Sequence, residues 1–145
     1  MIPNRIYTLG TSNRKLEEFI DILRFYEIKI VVDIRRFPVS KRYPHFKKEN
    51  LEDVLKEHGI SYLHIGELGG YRKEGYENYM ETAEFKNALQ KLMNIAKNEK
   101  ACIICAEKFP WRCHRRFVSK ALEEKGFLVQ HIIEKEKLYL YDPDS

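Results

Sequence analysis

The stretch ACIICAEKFPWRCHR, residues 101–115, determines the fold that we expect for this chain. It opens with an apolar run, Ala101–Ala106, the pattern of a strand that is buried on both faces. Pro110 then breaks the backbone, and apolar residues at helical spacing predict a helix from about Trp111 to Lys125. A buried strand that feeds a helix N-terminus is where α/β proteins place reactive and anion-binding groups.

Strands and helices alternate on both sides of this stretch. Amphipathic helices separate the strands, and Asn50 and Thr82 are predicted to cap two of them. Five strands are predicted, at Arg5–Leu9, Lys29–Ile34, Ile60–Ile65, Ala101–Cys105 and Phe127–Ile133. We therefore expect a single α/β domain over residues 1–145, with a mostly parallel, Rossmann-like five-stranded sheet and helices on both faces. The expected order is 3-2-1-4-5, which puts strands one and four side by side at the switch point.

The end of the chain is expected to add an edge strand over Leu138–Tyr141 and to fray from about residue 142.

Hydrophobic residues make up 43% and charged residues 33% of the 145 residues, the profile of a soluble globular protein. No run is apolar enough to span a membrane, and the first residues have no secretory h-region. Three cysteines do not resemble a disulfide framework, so we expect a reducing, cytoplasmic location.

A basic segment follows the second strand. The residues RRFPVSKRYPHFKK, 35–48, hold no acid and interleave Phe37, Tyr43 and Phe46 with basic side chains. Basic groups attract phosphates and aromatic rings stack on bases, so a nucleotide or nucleic acid is a possible partner. The alternative is a solvated loop whose aromatic side chains fold back onto the core.

Polar and reactive side chains follow three of the predicted strands. Because the carboxyl ends of parallel strands meet at one edge of the sheet, these side chains should lie close together. Together they resemble an active site for an anionic substrate. The candidates are Thr11, Ser12, Asn13, Asp33, Arg35, Tyr43, Glu107, Cys113, His114 and Arg115.

Each candidate has a structural alternative. Asp33 could accept backbone hydrogen bonds at a strand end, and Arg35 could simply pair with it. Glu107 could cap the following helix and stabilise its dipole, and His114 could lie on the buried edge of that helix. The three residues 11–13 could serve only as helix caps.

The cysteines favour thiol chemistry over metal binding. Cys102 and Cys105 form a C-x-x-C pattern, but on a strand they point to opposite faces and cannot bind one metal. The spacing of Cys105, Cys113 and His114 matches no standard zinc pattern, so no metal site is predicted. A Cys113 thiolate would be stabilised by a helix N-terminus and by neighbouring basic groups. A packed or capping thiol is the alternative.

Five motifs are spread along the chain: YTLGTSNR (Tyr7–Arg14), DIRRFPVSKRYPHF (Asp33–Phe46), GISYLHIGELGG (Gly59–Gly70), YM-x-T-x-EF (Tyr79–Phe85) and ICAEKFPWRCHR (Ile104–Arg115). Through these motifs, in this order, the chain resembles the domain of unknown function 488 family. The resemblance covers nearly the whole chain and implies a compact α/β protein, usually a stand-alone cytosolic protein of bacteria or archaea. It implies no established activity, and the cofactor stays unknown.

The preferred interpretation is an enzyme that acts on a nucleotide, nucleic acid or other phosphate-bearing substrate. Asp33 or Glu107 would be the general base or acid, and His114 a second proton-transfer group. Arg35 and Arg115 would hold the anion, helped by the helix N-terminus after Pro110. The basic segment and the long connection 66–80 would flank the mouth of the site. Two alternatives remain open: a non-catalytic module that binds the same ligands, and a thiol-dependent enzyme that uses Cys113.

Overall fold

The computed structural model describes residues 4–70 and 72–139. The strands are β1 Arg5–Gly10, β2 Ile30–Asp33, β3 Ser61–His64, β4 Ala101–Cys105, β5 Leu128–Glu134 and β6 Lys137–Tyr139. The helices are α1 Leu16–Phe25, α2 Lys48–Glu57, α3 Tyr76–Tyr79, α4 Ala83–Asn98 and α5 Arg115–Glu124. Short 3-10 turns occur at Pro44–Phe46, Gly66–Leu68 and Pro110–Arg112. None of the helices in the described part of the chain has the length and apolar character that a membrane crossing needs.

The strands form one sheet in the order β3-β2-β4-β1-β5-β6, parallel except for β6. The predicted α/β class, the mostly parallel sheet and the neighbouring positions of strands one and four are confirmed. Relative to the expected order 3-2-1-4-5, however, strands one and four exchange places. β4 lies between β2 and β1 and pairs with both. Both are buried, mostly apolar central strands, so their patterns do not say which of them contacts strand two. The edge strand is β6, and residues 140 and 141 of its predicted span lie outside the described residues.

The two faces of the sheet are both covered, as expected. Helices α1 and α2 pack on one face through side chains such as Phe19 and Leu51. Helices α4 and α5 pack on the other face through side chains such as Leu92 and Val118. Successive β4 residues alternate between these two cores, so Cys102 and Cys105 face opposite sides of the sheet, as predicted.

The predicted helix ends need two corrections. A helix does not run from Trp111 to Lys125, because a 3-10 turn over Pro110–Arg112 is followed by extended backbone at Cys113 (φ −133°, ψ 151°). Pro110 lacks the N–H that a helix interior needs, so it starts a separate turn. The predicted Asn50 cap is also wrong, since Lys47 precedes α2 and the Asn50 amide donates to the Pro44 carbonyl. The Thr82 cap is confirmed, because its side chain accepts a hydrogen bond from the Phe85 amide.

Candidate functional site

A cleft of about 830 Å³ opens where β1, β2 and β4 end. Asp33 and Arg115 are fully buried and do not line it. Every other candidate predicted from the sequence does line it, so the expected convergence at the strand ends is present. The lining residues are Thr11, Ser12, Asn13, Arg35, Arg36, Phe37, Val39, Ser40, Arg42, Tyr43, Gly70, Ala106, Glu107, Arg112, Cys113 and His114.

The wall formed by residues 11–13 is held by the backbone of β4. The Thr11 amide donates to the Cys105 carbonyl at 2.7 Å, and the Ser12 amide donates to the Ala106 carbonyl at 2.8 Å. A Cβ atom on Gly10 would lie 1.9 Å from the Glu107 carbonyl oxygen, so only glycine permits this approach. The residue that precedes α1 is Lys15, without a side-chain cap, so the expectation that residues 11–13 cap this helix is wrong.

Asp33 lies beneath the cleft and is saturated with hydrogen bonds. Its carboxylate accepts the Arg35 backbone amide at 3.0 Å, the Arg35 Nη2 at 2.7 Å and the Tyr62 hydroxyl. Burial opposes the charge on Arg35, but the hydrogen bond and charge of Asp33 outweigh it and raise the pKa of Arg35. The pair therefore has the geometry of the structural alternative, in which Asp33 fixes the guanidinium of Arg35 against the cleft wall.

The basic segment supplies most of the charge of the cleft. Arg42 lies over the ring of Tyr43, with 5.7 Å between the guanidinium carbon and the ring centre. Phe37 is 66% exposed at the cleft, whereas Phe46 is buried in the core. Of the three aromatic rings of the segment, Phe46 therefore packs into the core, whereas Phe37 and Tyr43 lie at the cleft.

Three arginines that the sequence-based site omitted also line the cleft, namely Arg36, Arg42 and Arg112. Two of them belong to the basic segment, whose charge was the available signal. Among residues 4–70 and 72–139, neither Arg42 nor Arg112 pairs with a carboxylate. Glu107 is the only carboxylate among the described residues that line the cleft. Its side chain is exposed to solvent, whereas a desolvated catalytic acid would be buried.

Two thiols lie close together at the cleft, and one of them, Cys113, lines it. The Sγ atoms of Cys105 and Cys113 lie 2.9 Å apart, and the Arg115 backbone amide is 3.5 Å from the Cys113 Sγ. Burial opposes ionisation of Cys105, but the hydrogen bond to Cys113 and the charge of Arg115 outweigh it and lower its pKa. The hydrogen bond with Cys105 and burial raise the pKa of Cys113, so Cys105 ionises first and Cys113 keeps its proton.

Arg115 is a buried cation without a carboxylate partner in the described part of the chain. Its Nη2 donates to the Lys108 carbonyl at 2.7 Å, while its Nε and Nη1 find no hydrogen-bond partner there. The first amides of α5 bond within the chain to Cys113 and His114, so they are not available to a ligand. The expectation that a helix N-terminus after Pro110 binds the anion is therefore wrong.

His114 forms part of the wall in its neutral form. Burial lowers the pKa of His114 to about 4, so the imidazole carries no charge at pH 7. Its Nδ1 lies 3.6 Å from the Cys113 Sγ, and its ring packs against Tyr76. The ring therefore lies partly buried between the thiol pair and the aromatic core. This position is similar to the predicted alternative, in which His114 lies on the buried edge of the helix.

The long connection 66–80 borders the cleft through Gly70. The hydroxyls of Tyr76 and Tyr79 donate to the carbonyls of Leu68 and Glu67, which ties the connection to its own 3-10 turn. A third tyrosine of the connection, Tyr71, lies outside the described residues. No three His, Cys, Asp or Glu side chains within the described ranges lie close enough together to hold a metal ion.

Comparison with known proteins gives one match. No curated protein and no solved structure matches the chain. The model of the family described as "Domain of unknown function DUF488" matches residues 15–122, most of the chain and nearly all of the cleft. This span contains the basic segment, the connection 66–80 and the thiol pair. The protein therefore belongs to the DUF488 family.

Proposed function

We propose that the cleft binds a phosphate-bearing ligand, a nucleotide or a strand of nucleic acid. The observation that carries the proposal is the charge of the wall. Among the described residues that line it, four arginines (Arg35, Arg36, Arg42 and Arg112) face one glutamate. Asp33 neutralises one of them, yet the wall stays positive because Arg42 and Arg112 have no carboxylate partner within the described residues. Guanidinium groups suit phosphate because their planar donors match its oxygens.

The aromatic side chains of the cleft favour a ligand that also carries bases. Phe37 is 66% exposed and Tyr43 is partly exposed, and both belong to the same wall as the arginines. Stacking of a base on an aromatic side chain contributes about 1–3 kcal/mol per base. A strand of nucleic acid would satisfy both parts of the wall at once.

The test is the salt dependence of binding to a fluorescein-labelled single-stranded oligonucleotide. Arg42→Gln and Arg112→Gln should each weaken binding about tenfold and reduce the slope of log K against log salt by about 0.7. Arg24→Gln is the matched control, since Arg24 is exposed at the end of α1 and does not line the cleft. If all three variants lose the same affinity, the attraction is diffuse and the cleft is not the binding site.

A second pair of variants tests the base-bearing part of the ligand. Phe37→Ala should weaken oligonucleotide binding about tenfold while leaving inorganic tripolyphosphate binding unchanged. Phe25→Ala is the matched control, because Phe25 is 48% exposed but lies on α1 away from the cleft. Equal loss with both probes would mean that Phe37 shapes the cleft and does not stack on a base.

The cleft could also catalyse a reaction of the bound ligand. Catalysis by a cysteine thiol is better supported than catalysis by a carboxylate. Asp33 is buried and fully hydrogen-bonded, Glu107 is exposed, and His114 with a pKa of about 4 is a weak base at pH 7. Cys113 lines the cleft and has a second thiol and a buried cation beside it. Iodoacetamide should therefore alkylate Cys113 first, and the oligonucleotide should protect it.

A further inference from the structure

We propose that Cys105 and Cys113 are a peroxide-reactive dithiol that closes into an intramolecular disulfide bond. The two residues are free thiols whose Sγ atoms lie 2.9 Å apart. Cys105 ends β4, and the 3-10 turn Pro110–Arg112 returns the chain so that Cys113 faces it. An approach of about 0.9 Å separates the two sulfurs from the length of a disulfide bond.

The two thiols differ in access, which assigns their roles. Cys113 is 8% exposed and lines the cleft, so a small peroxide can reach its sulfur. Cys105 is 1% exposed and lies beneath it. Cys113 is therefore the thiol that meets the oxidant, and Cys105 is the thiol that resolves the product.

Arg115 supplies the charge that this chemistry needs. A buried guanidinium without a counter-ion is strongly destabilising, and no carboxylate pairs with it in the described residues. A thiolate shared by the two cysteines neutralises it, since the Arg115 charge favours the ionised form of both. The resting pair holds its proton on Cys113, since the pKa of Cys105 is lowered and that of Cys113 is raised. Transfer of that proton across the 2.9 Å contact to Cys105 makes Cys113 the nucleophile that faces the cleft.

The reaction balances with a hydroperoxide as the oxidant. The Cys113 thiolate attacks one peroxide oxygen, the O–O bond breaks, and the products are Cys113 sulfenic acid and an alkoxide or hydroxide that takes a proton. The Cys105 sulfur then attacks the Cys113 sulfur, the S–S bond forms, and the S–O bond breaks with release of water. Two thiols lose two electrons and two protons, and the peroxide is reduced by the same amount.

The experiment treats the purified full-length protein with hydrogen peroxide at pH 7, alkylates the remaining thiols after unfolding, and maps the peptides by mass spectrometry. The expected result is a disulfide-linked peptide pair containing Cys105 and Cys113, reversed by a reductant. Cys102, fully buried on the other face of the sheet, should stay alkylatable and is the internal control. Linkage through Cys102, or full alkylation of all three cysteines after peroxide treatment, would overturn the proposal.

Two serine variants separate the roles of the cysteines. In Cys105→Ser, dimedone should trap a sulfenic acid on Cys113, and the reaction should slow about tenfold because an isolated thiol is only a few per cent ionised at pH 7. In Cys113→Ser, Cys105 should remain reduced, and oxidation of Cys105 at the wild-type rate would reverse the assigned roles and refute this mechanism. The inference does not rest on the proposed function, since oligonucleotide binding by the reduced protein is measured separately.

Discussion

Acidification from pH 7 to pH 4.5 is expected to destabilise the fold through two histidines, the fully buried His131 and the partly buried His114. Burial lowers the pKa of His114 to about 4 and that of His131 to about 3. In the unfolded chain both titrate near the ordinary pKa of about 6.5. Below that pH the unfolded state therefore binds protons that the folded state does not bind. Their contribution to stability is complete above about pH 6.5 and is lost as the pH falls towards the folded values.

The size of the lost unfolding free energy follows from the pH interval between the unfolded-state and folded-state pKa values. Each histidine costs up to about 1.4 kcal/mol of unfolding free energy per pH unit once the unfolded chain is protonated. Between pH 7 and pH 4.5 this amounts to about 2 kcal/mol for each histidine and about 4 kcal/mol for both. A loss of that size is a large part of the stability of an ordinary domain.

Urea unfolding at half-unit pH steps measures the effect. His114→Gln and His131→Gln should each remove about 2 kcal/mol of the pH-dependent loss. The readout is the slope against pH, so a change in absolute stability does not interfere. His58→Gln is the matched control, because His58 is exposed at the end of α2. A wild-type slope in His114→Gln would refute the argument that burial keeps this ring neutral.

Three further substitutions test the cleft and the layer beneath it. Asp33→Ala should lower the unfolding free energy by about 3–5 kcal/mol in urea, because it leaves the Arg35 guanidinium without its counter-charge; Asp21→Ala, at an exposed ion pair, should cost less than about 1 kcal/mol. Glu107→Gln should leave the thermal midpoint within about 2 °C, because its side chain is exposed, and a larger fall would make it structural. Arg115→Met should slow alkylation of Cys113 at pH 7 about tenfold, measured by mass spectrometry, because the charge that favours ionisation of the coupled Cys105–Cys113 pair is lost.

The sequence predicted the fold better than it predicted the details of the site. Buried apolar runs and helical stripes are local patterns, so the strands and most helices lie where they were expected. The relative order of β1 and β4 is set by packing between residues far apart in the chain, which their similar patterns do not encode. The start of α5 was missed because the residues after Pro110 suit both a helix and a 3-10 turn.

The burial of each side chain determines whether a predicted site residue can reach the ligand. The sequence contained part of the information needed to predict that burial. Arg115 was assigned to the ligand, but it lies at the head of the buried α5 stripe that continues through Val118, Ser119 and Leu122. A cation in that position is three and four residues from core side chains, which predicts burial rather than ligand contact.

Pairing across the buried layer could not be predicted in the same way, because it depends on distances between separate elements. The buried carboxylate of Asp33 pairs with the guanidinium of Arg35, and the buried charge of Arg115 favours ionisation of the Cys105–Cys113 pair. In each case a buried charged residue orients a residue on the cleft wall or favours its ionised form. The chemistry assigned to the cleft therefore depends on charges that no ligand touches, and a substitution in the buried layer should change the cleft without altering its lining.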